Sequence, residues 1–311
     1  MKLKTMVVAA LACASVCAAE VKQLKVLMIG NSFSICLLQE MPTVAKEMGL
    51  KLDLCSLYIG GCSLERHWQN VCKPETNPYT LGWSYDGVKN DPNAAVAKIA
   101  VKSERKNHKG KIEKFTGANI PSALKADKWD VVTIQQASHF SWKPESYHPF
   151  GDDLVKTIKE LAPQAKIVVQ ETWSYTPWDK RFKGWGIDQN EMYAKLHDAY
   201  AAFAKPYGFD VIPVGTAVQA WRKELPVKYT ENSFGGDVCG SAKFTNENGK
   251  WVPHGDVFHF NGDGHYLQAL VWTAKLFDVD VAKCPYAPAH LKGAKADLMK
   301  KVAMDAIRAQ K

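Results

Sequence analysis

Along the chain, short apolar runs alternate with longer segments of helical period. Leu24–Gly30 is a β-rich run ending in glycine and reads as a buried strand. A tight turn at Asn31–Ser34 follows, then an apolar-periodic helix from Ile35 to Met48, closed by Gly49. Lys51–Ile59 is a second strand, with Gly60-Gly61 and a short helix from Ser63 behind it. From about Lys73 to Lys114 the pattern fades into a stretch rich in Asn, Pro, Gly and Lys, which reads as an insertion over one end of the domain. Periodicity resumes at Ile120. The later strands are Trp129–Gln135, Ala165–Gln170 and Asp210–Val214, and the later helices are Tyr147–Leu161, Gln189–Tyr207 and Thr216–Leu225. An irregular stretch, Thr230–Phe258, leads into an apolar helix at Gly264–Phe277, and an amphipathic helix at Leu291–Ala309 closes the chain. Strands that alternate with helices predict an α/β protein with one parallel sheet covered on both faces. Such a sheet places ligands at the C-terminal ends of its strands.

The N-terminus departs from this pattern. Lys2 and Lys4 form a basic region, Met6–Val16 an apolar one, and Cys17-Ala18-Ala19 a small-residue cleavage site. Residues 1–19 therefore read as an export signal, too short to span a bilayer, with 20–311 as a single domain. A lipid anchor at Cys13 or Cys17 is less favoured, because Leu11-Ala12-Cys13 lacks a bulky residue three places before the cysteine. The expected location is periplasmic or extracellular.

With 311 residues, 46% hydrophobic and 23% charged, the chain has ample material for a core. The net charge of +8 includes Lys2 and Lys4 and is diffuse, so it argues against a nucleic-acid partner. No stable membrane insertion is expected. Cys36, Cys55, Cys62, Cys72, Cys239 and Cys284 remain after the signal; export permits disulfides, and Cys62 with Cys72 is a candidate pair by proximity. No CxxC or histidine spacing points to a metal, and no cofactor is expected.

Ser32 follows the first strand on a turn into a helix, where unpaired backbone N–H groups favour a developing oxyanion. The same position suits an N-cap, for Ser32 or for Asn31. A base is offered by Asp256-Val257-Phe258-His259: a carboxylate three residues before a loop histidine can hold its Nδ1 and leave Nε2 for the serine. Asp263-Gly264-His265 is a rival, although Asp263 sits where a helix cap is expected.

In combination these stretches resemble the SGNH (GDSL-like) hydrolase superfamily, over nearly the whole mature chain and nearest to an uncharacterised exported bacterial branch of it. Ile29-Gly30-Asn31-Ser32-Phe33-Ser34 is similar to its first block, with Asn where many members have Asp. Tyr58-Ile59-Gly60-Gly61-Cys62-Ser63-Leu64 is similar to the second, with Gly61 as its oxyanion glycine, and Asp256–Asn261 is similar to the last. The resemblance implies a three-layer α/β/α sandwich with flavodoxin-like strand order. It also implies a serine esterase with Ser32 as nucleophile, His259 as base and Asp256 as its orienting acid. The backbone N–H groups of Ser32 and Gly61 would hold the oxyanion. The third block departs from its Gly-x-Asn pattern, since Ala137 and His139 stand at those two positions. Gln136 is the expected replacement donor, with Ser138 and His139 next.

The substrate expectation is an O-acyl group, chiefly O-acetyl, on a carbohydrate. It rests on export, on analogy with carbohydrate esterases of the superfamily and on aromatic residues at Trp83, Tyr85, Trp142, Trp173, Tyr175, Trp178 and Trp185. Trp173, Trp178 and Glu171 are the candidate substrate contacts, and Asp179, Lys180 and Arg181 could meet sugar hydroxyls or a uronate. Two rivals remain: a lipid or thioester hydrolase, and a glycan-binding protein of the same fold with little or no turnover.

Overall fold

The computed structural model describes residues 21–106, 109–224, 234–241, 243–291 and 293–310. Residues 1–19, expected to be an export signal, with Cys13 and Cys17, the helix end expected at Leu225 and the start of the irregular stretch at Thr230 lie outside the described residues. The strands are β1 (Gln23–Gly30), β2 (Lys51–Tyr58), β3 (Tyr79–Tyr85), β4 (Val88–Lys89), β5 (Val101–Lys106), β6 (Ile112–Ala118), β7 (Val131–Ile134), β8 (Lys166–Gln170), β9 (Asp210–Ile212), β10 (Lys243–Glu247) and β11 (Lys250–His254). The α-helices are α1 (Ser32–Ile35), α2 (Leu37–Glu47), α3 (Leu64–Val71), α4 (Ile120–Ala126), α5 (Phe150–Leu161), α6 (Arg181–Trp185), α7 (Gln189–Ala204), α8 (Val214–Glu224), α9 (Gly262–Phe277) and α10 (Ala294–Arg308).

The parallel strands run in the order β2-β1-β7-β8-β9, the flavodoxin-like arrangement. The buried runs Val26–Gly30, Val131–Ile134 and Ile167–Gln170 explain why these strands lack polar alternation: helices cover them on both faces. Helices α2, α8, α9 and α10 pack together, and α3, α4 and α5 form a second group. Helix α9 is buried on nearly every side, so its sequence is apolar with little facial bias.

The segment 73–114 differs from its expectation as an irregular insertion. β3 pairs antiparallel with β2, and β6 and β5 follow antiparallel, so the segment lengthens the central sheet beyond its parallel part. The burial of β5 alternates weakly over polar residues, as an outer strand's does, which is why its period escapes a reading of the sequence. Trp83 and Tyr85 accordingly belong to a strand and not to loops. The stretch before α9 holds a further antiparallel hairpin, β10–β11. The six cysteines among the described residues are free thiols: Cys62 is buried and Cys72 exposed, and they form no disulfide.

Candidate active site

Register brings three loops to one edge. Gly30 pairs with Tyr58 and Ile29 with Ile134, so Asn31-Ser32, Ile59-Gly61 and Gln135-Gln136 leave the sheet side by side. Asn31 ties them together. Its Oδ1 accepts from the Phe33 N–H at 3.0 Å and from Gln135 Nε2 at 2.7 Å, while its Nδ2 donates to the Cys62 carbonyl at 3.1 Å. A carboxylate could not make the last bond, which gives the Asn at this position a physical role. Asn31 is also the N-cap of α1, and Ser32 is left free of capping duty.

Ser32 Oγ lies 2.7 Å from His259 Nε2, and His259 Nδ1 lies 2.5 Å from Asp256 Oδ2. The other oxygen of Asp256 accepts from the N–H groups of Phe258 and His259, both at 2.9 Å. Burial pushes the Asp256 carboxyl up, but the His259 side chain and these backbone donors outweigh it and hold the group at about 2. The loop is pinned from both sides: Thr176 donates its N–H and hydroxyl to the Val257 carbonyl, and the N–H groups of Gly240 and Ser241 meet the carbonyls of His259 and Asp256.

The rival pair is built differently. Asn261, not Asp263, caps α9, accepting from the N–H groups of Asp263 and Gly264. Asp263 stands in the first turn, bound to Lys295 at 2.5 Å and His290 at 3.1 Å. Burial, and then the charge of His259, lower the basicity of His265.

At the oxyanion side, the Ser32 N–H belongs to the first turn of a helix and has no intrahelical acceptor. Gly61 adopts φ +60°, a left-handed conformation that turns the chain toward α3 and suits glycine. Its N–H meets no acceptor among the described residues. Gln136 does not join them. Its Nε2 donates to the Ser146 carbonyl at 2.7 Å and hydroxyl at 3.1 Å, and its Oε1 accepts from Leu64 N and Ala137 N. The amide is fully used in tying α3 to the loop after β7, which corrects the expectation of a third oxyanion donor. Ser138 is likewise engaged, 2.7 Å from the Tyr175 hydroxyl.

Two of the three candidate substrate contacts are also corrected. The Trp173 ring is buried between Phe33 and Phe260, with centroids 3.9 and 3.5 Å away, and its indole N–H meets the Phe258 carbonyl. It is a wedge between the nucleophile turn and the acid loop. Glu171 is buried at the N-terminus of α8, accepting from Thr216 N at 2.5 Å and Thr216 Oγ1 at 2.9 Å, and from His197 at 2.8 Å. Its partners are structural. Trp178 alone stays half-exposed, edge-on to Phe244 of β10, in the wall of a cavity of about 360 Å³ that adjoins Asp256 through Gly255 and Val257. A second cavity, about 770 Å³, opens beside Tyr58 and Gly60 under the β5–β6 hairpin, with Arg66, Arg105 and Phe115 in its lining.

Gln170 and Gln268 are residues that sequence reasoning missed; both amides donate to the Phe33 carbonyl. The one available signal was a glutamine inside the apolar run of α9. Among the described residues, no three His, Cys, Asp or Glu side chains gather as a metal site, and no helix is long and apolar enough to cross a membrane.

The chain is similar to a crystal structure of a DUF4886 family protein from Bacteroides uniformis, at 27% identity and TM-score 0.71, over 93% of this chain and 96% of that one. Residues 97–238 match the family described as a domain of unknown function, DUF4886. An acetyl xylan esterase matches at 10% identity and TM-score 0.50, over 81% of this chain and all of its own. The two chains share a fold, and its strand order here is the one that the resemblance to the SGNH (GDSL-like) hydrolases implies. A member of the lipolytic G-D-S-L family from Veillonella parvula is similar at 12% identity and TM-score 0.43, over 82% of this chain and 98% of that one. Among curated proteins none matches.

Proposed function

We propose that this chain is an exported serine esterase that removes O-acyl, chiefly O-acetyl, groups from a carbohydrate, working as one domain over residues 20–311. The observation that carries the reading is the unbroken hydrogen-bonded series Asp256–His259–Ser32, joined across 227 residues of sequence. His259 Nε2 takes the Ser32 proton as Oγ attacks the acyl carbon. Asp256 keeps the other ring proton on Nδ1 and stabilises the imidazolium. The carbonyl oxygen gains charge toward the N–H groups of Ser32 and Gly61, next to the positive end of α1. The tetrahedral species collapses, the sugar hydroxyl leaves with the proton from His259, and water then cleaves the acyl-enzyme by the same route. The side chains of Asp256 and His259 are about one-third exposed, which leaves the series open to a bulky substrate.

Export rests on the basic, apolar and small-residue order of residues 1–19. The carbohydrate rests on that export, on the half-exposed Trp178 and on the mixed aromatic and polar lining of the flanking cavities. A second reading, a glycan-binding protein with little turnover, is favoured by the commitment of the Gln136 amide elsewhere. The test is labelling with a fluorophosphonate, alongside acetate release from a panel of acetylated polysaccharides, in wild type and Ser32→Ala. Labelling of Ser32 with release that Ser32→Ala abolishes is the expected result. Glycan binding with neither labelling nor release selects the second reading.

A further inference from the structure

We propose that the rim of the site beside Asp256 and His259 selects a carboxylate-bearing sugar, a uronic acid, and that Arg181 binds its carboxylate. The inference deepens the glycan-esterase reading and rests on it for the sugar. Arg181 is fixed from three directions. Its Nε and Nη2 bind the two oxygens of the buried Asp179 at 2.8 and 2.6 Å. Its guanidinium carbon stands 4.3 Å from the centre of the Tyr175 ring and 4.4 Å from that of Phe258, the neighbour of His259. The third nitrogen, Nη1, makes no hydrogen bond among the described residues. A guanidinium held in this way presents its remaining N–H pair with little freedom left to lose on binding.

Charge favours an anion over a hydroxyl. Asp179 neutralises Arg181, and Asp256 is committed to His259. Lys180, in the same cavity wall, has no carboxylate partner among the described residues. Lys143 has none either; its ammonium lies over the Trp142 ring at 5.0 Å. Trp142 packs on Trp185 with centroids 5.5 Å apart, and the Arg181 guanidinium carbon lies 5.7 Å from the Trp185 ring, which puts Lys143 and Arg181 on one aromatic cluster. Lys180 and Lys143 thus add two cations without carboxylate partners among the described residues, and a substrate that brings its own negative charge would meet them. The cavity of about 360 Å³ beside Trp178 lies within the ordinary size range of small-ligand sites.

The test compares one glycan in two charge states. Tetragalacturonate and its full methyl ester are titrated calorimetrically into Ser32→Ala, which separates binding from chemistry. The acid should bind about tenfold more tightly than the ester, as expected for one charge-assisted contact, with the preference shrinking as salt rises. Arg181→Gln should remove most of that preference, and Lys180→Ala and Lys143→Ala should each reduce it about two- to threefold, with ester affinity unchanged. If Arg181→Gln melts early, the two lysine variants decide. Equal binding of acid and ester, no binding of either, or a preference that survives in every folded variant overturns the proposal. Acid-selective binding without acetate release would uphold it while the esterase reading fails. Acetate release confined to neutral glycans would do the reverse.

Discussion

The carbonyl of Phe33 accepts from the amide of Gln268 at 2.7 Å, which fastens the turn carrying Ser32 to the helix that begins just after His259. Gln170 donates to the same oxygen at 2.9 Å from the end of β8, and Cys36 Sγ lies 2.9 Å from Gln268 Oε1. The two halves of the proposed catalytic pair are thus held by one buried polar junction.

Replacing Gln268 with Leu should cost about 1–3 kcal/mol, since the Cys36 thiol loses its acceptor in a dry interior and the Phe33 carbonyl keeps one donor of two. Turnover per folded molecule should fall as well, because the Ser32–His259 distance is no longer held. Denaturant titration and kcat on the same sample check this. A loss of rate matched entirely by the unfolded fraction would show that the junction only supports the fold.

His259→Ala should lower kcat/KM by several orders of magnitude, and His265→Ala far less, because Nε2 of His259 is the nitrogen on Ser32 Oγ. Asp263→Asn should weaken the tether of α9 to Lys295 and leave the rate near wild type. The reverse ranking would move the base to the rival pair.

Gln136→Leu is expected to be a stability variant. It removes bonds to Ser146, Leu64 N and Ala137 N, and buried donors without partners cost about 1–3 kcal/mol each. Correctly folded Gln136→Leu should keep its kcat within a few-fold. A hundredfold loss with an unchanged melting temperature would restore this residue to the oxyanion hole.

Trp173→Ala opens a void under both loops and should cost about 3–5 kcal/mol. Trp178→Ala, on the half-exposed cavity wall, should instead raise KM for a glycan and barely move the melting temperature. Thermal unfolding and steady-state kinetics separate the two tryptophans, and a glycan KM untouched by Trp178→Ala would remove that wall from the substrate path.

Protonation of Asp256 should destabilise the protein in acid. Its native value of about 2 lies below the ordinary 3.8, so its stabilising contribution is complete above about pH 5 and is lost as pH falls toward 2. The stability gap between wild type and Asp256→Asn should therefore close over that window. A gap independent of pH would mean that the carboxylate gains nothing from its donors.

The alternation of buried runs with helices is legible in sequence because both faces of a parallel sheet must be covered, and a doubly covered strand stays almost wholly apolar, as at Val26–Gly30 and, with Thr133 as the one polar residue, at Val131–Ile134. The spacing Asp256-x-x-His259 is legible for a similar reason. A carboxylate reaches a ring three residues away within one loop, so that half of the site is local.

The partners of Gln136, Trp173 and Glu171 were decided only by the tertiary structure. Each is a residue type suited to ligand contact, and each is placed in sequence at the end of a strand or just beyond it. What a side chain meets there depends on which distant segment packs above it: Ser146 for Gln136, Phe33 and Phe260 for Trp173, Thr216 and His197 for Glu171. Burial obliges a polar group to satisfy itself with whatever lies nearest, and that neighbour is fixed by packing of the whole chain and not by local pattern. The strands β5 and β6 escaped for the related reason that antiparallel strands at the outer end of a sheet, largely in water, need no strong apolar period to hold their place.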